Sequence, residues 1–107
     1  MKKWTVQDRY GHNIYFTEER WQHILESRPE LEPYFEQFLE TLRTGRRKQD
    51  QLIQNEYRYY KHFDELLPEN NNLVIIVVFK TCLNEHGKYT HNNFVVTGWA
   101  KYIRLKR

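Results

Sequence analysis

Leu73-Val74-Ile75-Ile76-Val77-Val78-Phe79 is the longest apolar run in the chain, and five of its seven residues are β-branched. Branching at Cβ restricts χ1 and favours a pleated strand over a helix. A run that is apolar at every position, rather than alternating, is expected of a central strand covered on both faces. Its length falls far below the roughly 20 residues that cross a bilayer as a helix. Downstream, Asn84-Glu85-His86-Gly87-Lys88 has hairpin-loop composition, and Phe94-Val95-Val96-Thr97-Gly98-Trp99-Ala100 reads as the last strand. Upstream, Pro68-Glu69-Asn70-Asn71-Asn72 reads as a loop, Tyr57 to Phe63 as an aromatic and polar strand, and Asn55-Glu56 as a turn. Gln51 to Gln54 reads as a further, weak strand. Such short connections join antiparallel neighbours.

The N-terminal half reads differently. Trp4-Thr5-Val6 and Ile14-Tyr15-Phe16 are β-prone, and Asp8-Arg9-Tyr10-Gly11-His12-Asn13 between them carries turn residues, so residues 3 to 16 predict a hairpin. Thr17 is placed to cap a helix, with Glu18 and Glu19 at its positive end. Trp21, Ile24, Leu25 and the stem of Arg28 recur on one face until Pro29 stops the helix. Leu31, Phe35, Phe38, Leu39 and Leu42 mark a second amphipathic helix, with Pro33 in its first turn and Gly45 as a left-handed cap. Helices followed by strands predict an α+β domain: an N-terminal β-hairpin and two α-helices packed on a four-stranded antiparallel sheet.

The 107 residues fit a single domain, 1–107, large enough to fold on its own core. Eight Tyr, six Phe and three Trp make that core rich in rings, which argues against disorder. Seventeen Lys and Arg against fourteen Asp and Glu give a net charge of +3, which permits an anionic partner without requiring one. The charges are segregated. Glu dominates from Glu18 to Glu40, whereas Arg43, Arg46, Arg47 and Lys48 form a basic run, and Lys101, Arg104, Lys106 and Arg107 form another. The single Cys82 excludes an internal disulfide and reads as a buried small residue after a core strand. Met1-Lys2-Lys3-Trp4 opens no signal-like apolar run, so the expected compartment is the cytoplasm, without membrane attachment.

The chain has no glycine-rich phosphate loop, serine elbow or HExxH. His86 and His91 have no nearby carboxylate pair to complete a metal site, and no metal or other cofactor is expected. His23 is placed by spacing at the edge of the apolar face of the first helix. It reads either as a half-buried histidine bonded to the sheet or as a general acid or base. Arg28 reads either as a surface arginine or as a phosphate clamp. In Tyr57-Arg58-Tyr59-Tyr60-Lys61-His62 cations alternate with rings. Strand geometry puts Tyr57, Tyr59 and Lys61 on one face and Arg58, Tyr60 and His62 on the other. An exposed Arg-Tyr-His row suits nucleic acid, because rings stack on bases while cations hold phosphates; an amphipathic edge strand is the plainer reading.

His23-Ile24-Leu25-Glu26-Ser27-Arg28-Pro29-Glu30 resembles the His-Ile-x-x-Arg-His-Pro-Glu helix end of phage-associated barnase/EndoU/colicin/RelE-like nuclease domains. Tyr57-Arg58-Tyr59-Tyr60-Lys61, Leu73 to Val78 and Val95-Val96-Thr97-Gly98-Trp99 stand where those domains have an aromatic-basic strand, a Val-rich strand and a closing Val-Thr-Ala-Tyr. The resemblance spans residues 20–103. It departs at Ser27-Arg28, which shifts the arginine by one position and loses a second histidine, and at Gly98-Trp99, which loses a phenol. It implies metal-independent RNA cleavage by attack of the ribose 2′-hydroxyl. His23 would be the acid or base, Arg28 and Arg58 would bind phosphate, Thr97 would assist, and Tyr60 would stack a base or share the proton transfer. Arg46, Arg47, Lys48, Tyr59, Lys61, His62 and Lys101 are the further expected nucleic-acid contacts. RNA is then the expected partner, with an antitoxin or immunity protein beside it. Two alternatives remain open: a non-catalytic RNA- or protein-binding module on the same fold, and an interaction domain that pairs through a sheet edge.

Overall fold

The computed structural model describes residues 2–64, 66 and 69–103. In chain order these form β1 (Lys3–Gln7), β2 (Asn13–Thr17), α1 (Glu18–Ser27), a 3₁₀ segment (Pro29–Tyr34), α2 (Phe35–Thr44), β3 (Arg46–Gln49), β4 (Glu56–His62), β5 (Asn72–Leu83) and β6 (Tyr89–Lys101). The α+β class follows the sequence, but the sheet does not. It has six strands in the order β1-β2-β6-β5-β4-β3, not four beside a separate hairpin. The first hairpin joins the sheet through a parallel pairing of β2 with β6, at Tyr15 opposite Phe94. Two short strands alone are marginal in water, and docking on β6 gives this hairpin a sheet to belong to.

Thr17 caps α1, its Oγ1 accepting from the Arg20 amide at 3.1 Å. The helix buries Trp21 and Ile24, and the chain turns at Pro29 into the 3₁₀ segment, which buries Leu31 and contains Pro33. α2 therefore starts later than its apolar stripe, at Phe35. Gly45 is not a left-handed cap but extended, with φ −68° and ψ 165°. Glycine is needed there because a Cβ would overlap the carbonyl oxygens of Thr41 and Tyr60. The chain then passes directly into β3, so the basic run Arg46-Arg47-Lys48 is an edge strand. Gln51 to Gln54 lies in the loop beyond it. A strand of Arg-Arg-Lys-Gln shows no apolar alternation, and such charges commonly guard a sheet edge.

α2 packs on β1, β4 and β5, and α1 packs on β2 and β6. The side of the sheet facing them supplies Tyr59, Leu73, Ile75, Val77 and Val95 to the core, where they join Ile14, Phe16, Phe38 and Leu42. Trp4, Phe16, Trp21, Phe35 and Phe38 interlock with ring centroids 4.8 to 6.0 Å apart. Among the described residues no helix lies on the opposite side of the sheet. Val74 and Ile76 of β5 are nevertheless only 2% and 8% exposed there, Val74 between Tyr60 and Trp99 and Ile76 between Arg58 and Thr97. The apolar run therefore reflects a strand covered by a layer on one side and by its neighbours' side chains on the other. β5 and β6 also outrun the other strands, continuing as a two-stranded arm, Lys80–Leu83 with Tyr89–Asn92. Cys82 is on this arm and is exposed, not buried.

Phe38 sets the closest approach of α2 to the sheet. A Cβ at Gly98 would lie 2.6 and 2.8 Å from two atoms of its ring and 3.1 Å from the Val74 carbonyl oxygen. Gly98→Ala should therefore cost about 1–3 kcal/mol by overpacking. The expected readout is a lower urea midpoint at unchanged m-value, partly restored by Phe38→Leu.

Candidate nucleic-acid interface

The orientation of β3 is fixed by a buried cluster at the turn of the first hairpin. Asp8 Oδ1 accepts from the amides of Tyr10 and His12 at 2.9 and 2.8 Å, which closes the turn. Its other oxygen accepts from the Tyr59 hydroxyl and from Arg47 Nη1, the latter at 3.2 Å. The same guanidinium nitrogen lies 3.0 Å from His12 Nδ1 and 3.3 Å from the Tyr59 oxygen; arginine can only donate, so His12 accepts. Tyr10, Tyr57 and Phe79 surround the guanidinium carbon at 4.2, 4.8 and 5.4 Å from their ring centres. Arg47 and Tyr59 are thus structural, which corrects their expected place in a nucleic-acid surface. Burial first, and the hydrogen bond to Asp8 second, raise the Tyr59 phenol above its ordinary value of 10.0.

With Arg47 on the helix side, strand alternation turns its neighbours Arg46 and Lys48 to the open side of the sheet. Cross-strand pairing then defines rows on that side. Lys48 lies opposite Arg58, Arg58 opposite Ile76, and Ile76 opposite Thr97. The next row is Arg46, Tyr60, Val74 and Trp99, and beyond it stand His62, Asn72 and Lys101. On the other flank Glu56, Val78, Phe94 and Tyr15 form a fourth row. Adjacent strands are about 4.8 Å apart, so Arg58 and Thr97 are separated by roughly 10 Å across the sheet. Arg28, at the end of α1, brings its guanidinium carbon to 5.8 Å from the centre of the Trp99 ring.

The open side therefore gathers Arg58, Tyr60, Thr97, Arg46, Lys48, His62 and Lys101, with Arg28 joined to it through Trp99. Besides Arg47 and Tyr59, two further expected residues are elsewhere. Lys61 faces the helices, where Nζ donates to Thr44 Oγ1 at 2.6 Å and lies 3.7 Å from Glu40. His23 is on the outer surface of α1, not at the edge of its apolar face. Its side chain is 56% exposed, between Glu19 at 3.8 Å and Glu26 at 3.7 Å. At 100° per residue it points away from the stripe that Trp21 and Ile24 bury. A phosphate there would meet two carboxylates.

Sequence reasoning missed Trp99, Phe94, Tyr15 and Glu56 as parts of this face. The signal lay in alternation, since Thr97 and Trp99 share a side; the bulge at Val96, between Thr97 and Val95, hides the phase of Phe94. His62 is bonded to Asp64, Nε2 to Oδ1 at 2.8 Å. Arg46, Lys48 and Arg58, by contrast, have no ion-pair partner among the described residues.

A cleft of about 290 Å³ opens beside the Lys48–Arg58 pair, lined also by Gln49, Asp50, Glu56 and Ile76. The amides of Ile53 and Leu52 hold the Asp50 carboxyl below the usual carboxylate range, and the charge of Arg58 adds to this. A second recess, of about 370 Å³, lies by β1 and β2 and includes Lys3, Thr5, Asn13, Tyr15 and Asn92. Among the described residues no three His, Cys, Asp or Glu side chains gather as metal ligands, and no helix is long and apolar enough to cross a membrane. The chain matches no protein-family model, no curated protein and no solved structure.

Like charges directly opposite on paired strands destabilise a sheet. Lys48 faces Arg58 and neither makes an ion pair among the described residues, although Asp50 and Glu56 line the same cleft; a bound anion would relieve the repulsion between them. The rings on the same side offer flat apolar area to bases, which arginine and lysine do not.

Two measurements check the buried cluster. Asp8→Ala removes the carboxylate that pairs the Arg47 charge and accepts from the Tyr59 hydroxyl, and should destabilise by about 3–5 kcal/mol in urea titration. In alkaline absorbance titration Tyr59 should ionise after the other tyrosines, and Tyr59→Phe should remove that late step. Because its folded value is raised, the stability Tyr59 contributes is complete below pH 10.0 and declines as pH rises beyond it.

Proposed function

We propose that this chain binds single-stranded RNA across the open side of its sheet. The observation that carries the reading is the Lys48–Arg58 couple, which makes no ion pair among the described residues and stands in the row next to Tyr60 and Trp99. Cations there meet the phosphates and the two rings stack bases, a combination tolerant of sequence. Arg46, Lys101 and Arg28 extend the positive track on the flank away from Glu56. RNA rather than DNA is taken from the resemblance to nuclease domains.

Cleavage is a second reading, favoured by one feature: Arg58 and Thr97 share a row, and Tyr60 is one row away. In it the 2′-hydroxyl loses its proton to water and attacks the adjacent phosphorus, Arg58 stabilises the pentacoordinate phosphate, and the P–O5′ bond breaks to leave a 2′,3′-cyclic phosphate while the Tyr60 hydroxyl protonates the departing 5′-oxygen. His23 has no role in this version.

Fluorescence anisotropy with a labelled single-stranded RNA tests both. Lys48→Glu and Arg58→Glu should each weaken binding about tenfold or more and flatten the salt dependence by roughly one phosphate contact. His23→Ala should leave binding unchanged. Equal binding by Arg58→Glu would end the proposal. Incubation in EDTA then separates the readings: fragments lost in Arg58→Ala and Tyr60→Phe but kept in His23→Ala support cleavage. Intact RNA with all proteins leaves binding alone.

A further inference from the structure

We propose that the cleft between the loop 50–55 and the β4–β5 ladder is a single-nucleotide pocket. It would take one base against Ile76 and Leu52, with that nucleotide's phosphodiester at Lys48 and Arg58. The inference deepens the RNA-binding reading and rests on it for the identity of the ligand.

The loop is built to hold its shape. Asp50 Oδ1 accepts from the amides of Leu52 and Ile53 at 2.7 and 2.8 Å, and Gln49 Nε2 donates to the Gln54 carbonyl at 2.6 Å. The Asp50 amide donates to Glu56, that of Glu56 to Ile53, and that of Phe79 to Asn55, at 2.7 to 3.0 Å. This frame presents Leu52 at the cleft with 93% of its surface in water. A preorganised loop that displays a bare leucine does not recover the cost by collapsing, so the area is available to an occupant.

The lining decides what the occupant is. Leu52 supplies most of the apolar surface and Ile76 the small part it leaves exposed, and Lys48 and Arg58 supply positive charge at the same opening. An aliphatic peptide would leave the cations unmatched, and a bare phosphate would leave the apolar surface uncovered. A nucleotide meets both. Asp50 and Glu56 on the same rim repel a second negative charge, so the pocket suits one phosphodiester better than a triphosphate. The volume, about 290 Å³, is near the lower end of small-molecule sites, roughly 300–1,000 Å³.

The test is methyl NMR of the full chain titrated with nucleoside 5′-monophosphate methyl esters, which carry one singly charged phosphodiester, with inorganic phosphate and a nucleoside triphosphate as controls. The esters should shift the Leu52 and Ile76 methyls, and more tightly than the triphosphate does. Leu52→Ser, a change at an exposed site that leaves the core untouched, should weaken ester and RNA binding about threefold to tenfold. Identical shifts with inorganic phosphate would reduce the cleft to an anion site. RNA binding without shifts at Leu52 and Ile76 would remove the pocket while the RNA-binding face survives. Ester binding that shifts both methyls, without RNA binding, would keep the pocket and end the wider reading.

Discussion

Asp8 accepting from Arg47 and Tyr59 joins the two ends of the sheet, and the rest of the arrangement depends on that contact. β1 and β3 are the outer strands of six. Five spacings of about 4.8 Å would separate them by roughly 24 Å in a flat sheet. A hydrogen bond between the turn after β1 and a side chain on β3 exists only because the hairpin turn folds across the helix side of the sheet. The turn is itself closed by Asp8, so a single carboxylate shapes the loop and docks it. The contact also sets the phase of β3. A slip of one residue would exchange its faces, turning Arg47 to solvent and sending Arg46 and Lys48 toward the core. Which cations are available to a partner is therefore decided on the opposite side of the sheet from where they act.

The two sides divide the work by alternation. On β4, Tyr57, Tyr59 and Lys61 face the helices, where Tyr59 and Lys61 find hydrogen-bond partners, while Arg58 and Tyr60 face outward. On β6, Gly98 yields its side to Phe38, while Thr97 and Trp99 are presented to the other. The outward side chains of β4 and β6 flank Val74 and Ile76, which are buried without a second layer. The same rings and cations that would hold RNA thus already protect the central strand. Binding and stability are linked on this face, and its substitutions are best read with folding measured in parallel.

Much of this was legible in the sequence. The Thr17 cap, the Pro29 break and the faces of β4 follow from local rules and appear as read, whereas the stripe of α2 was read from Leu31, ahead of its start at Phe35, and the Gly45 cap as left-handed where it is extended. β3 was hidden because an edge strand of four polar residues has no pattern. The merging of the hairpin with the sheet was hidden because the parallel pairing of β2 with β6 is non-local. His23 was misplaced by judging its distance from Trp21 and Ile24 along the chain and not around the helix. Arg47 and Tyr59 were misassigned because Asp8, 39 and 51 residues away, decides their role.

The account turns on one claim, that the open side of the sheet is the working surface. Photocrosslinking single-stranded RNA carrying 4-thiouridine, followed by mass spectrometry of the adducts, addresses it directly. Adducts on peptides containing Tyr60 and Trp99, competed away by unlabelled RNA, are the predicted result. Adducts confined to α1, around His23, or none above an albumin control, would contradict it.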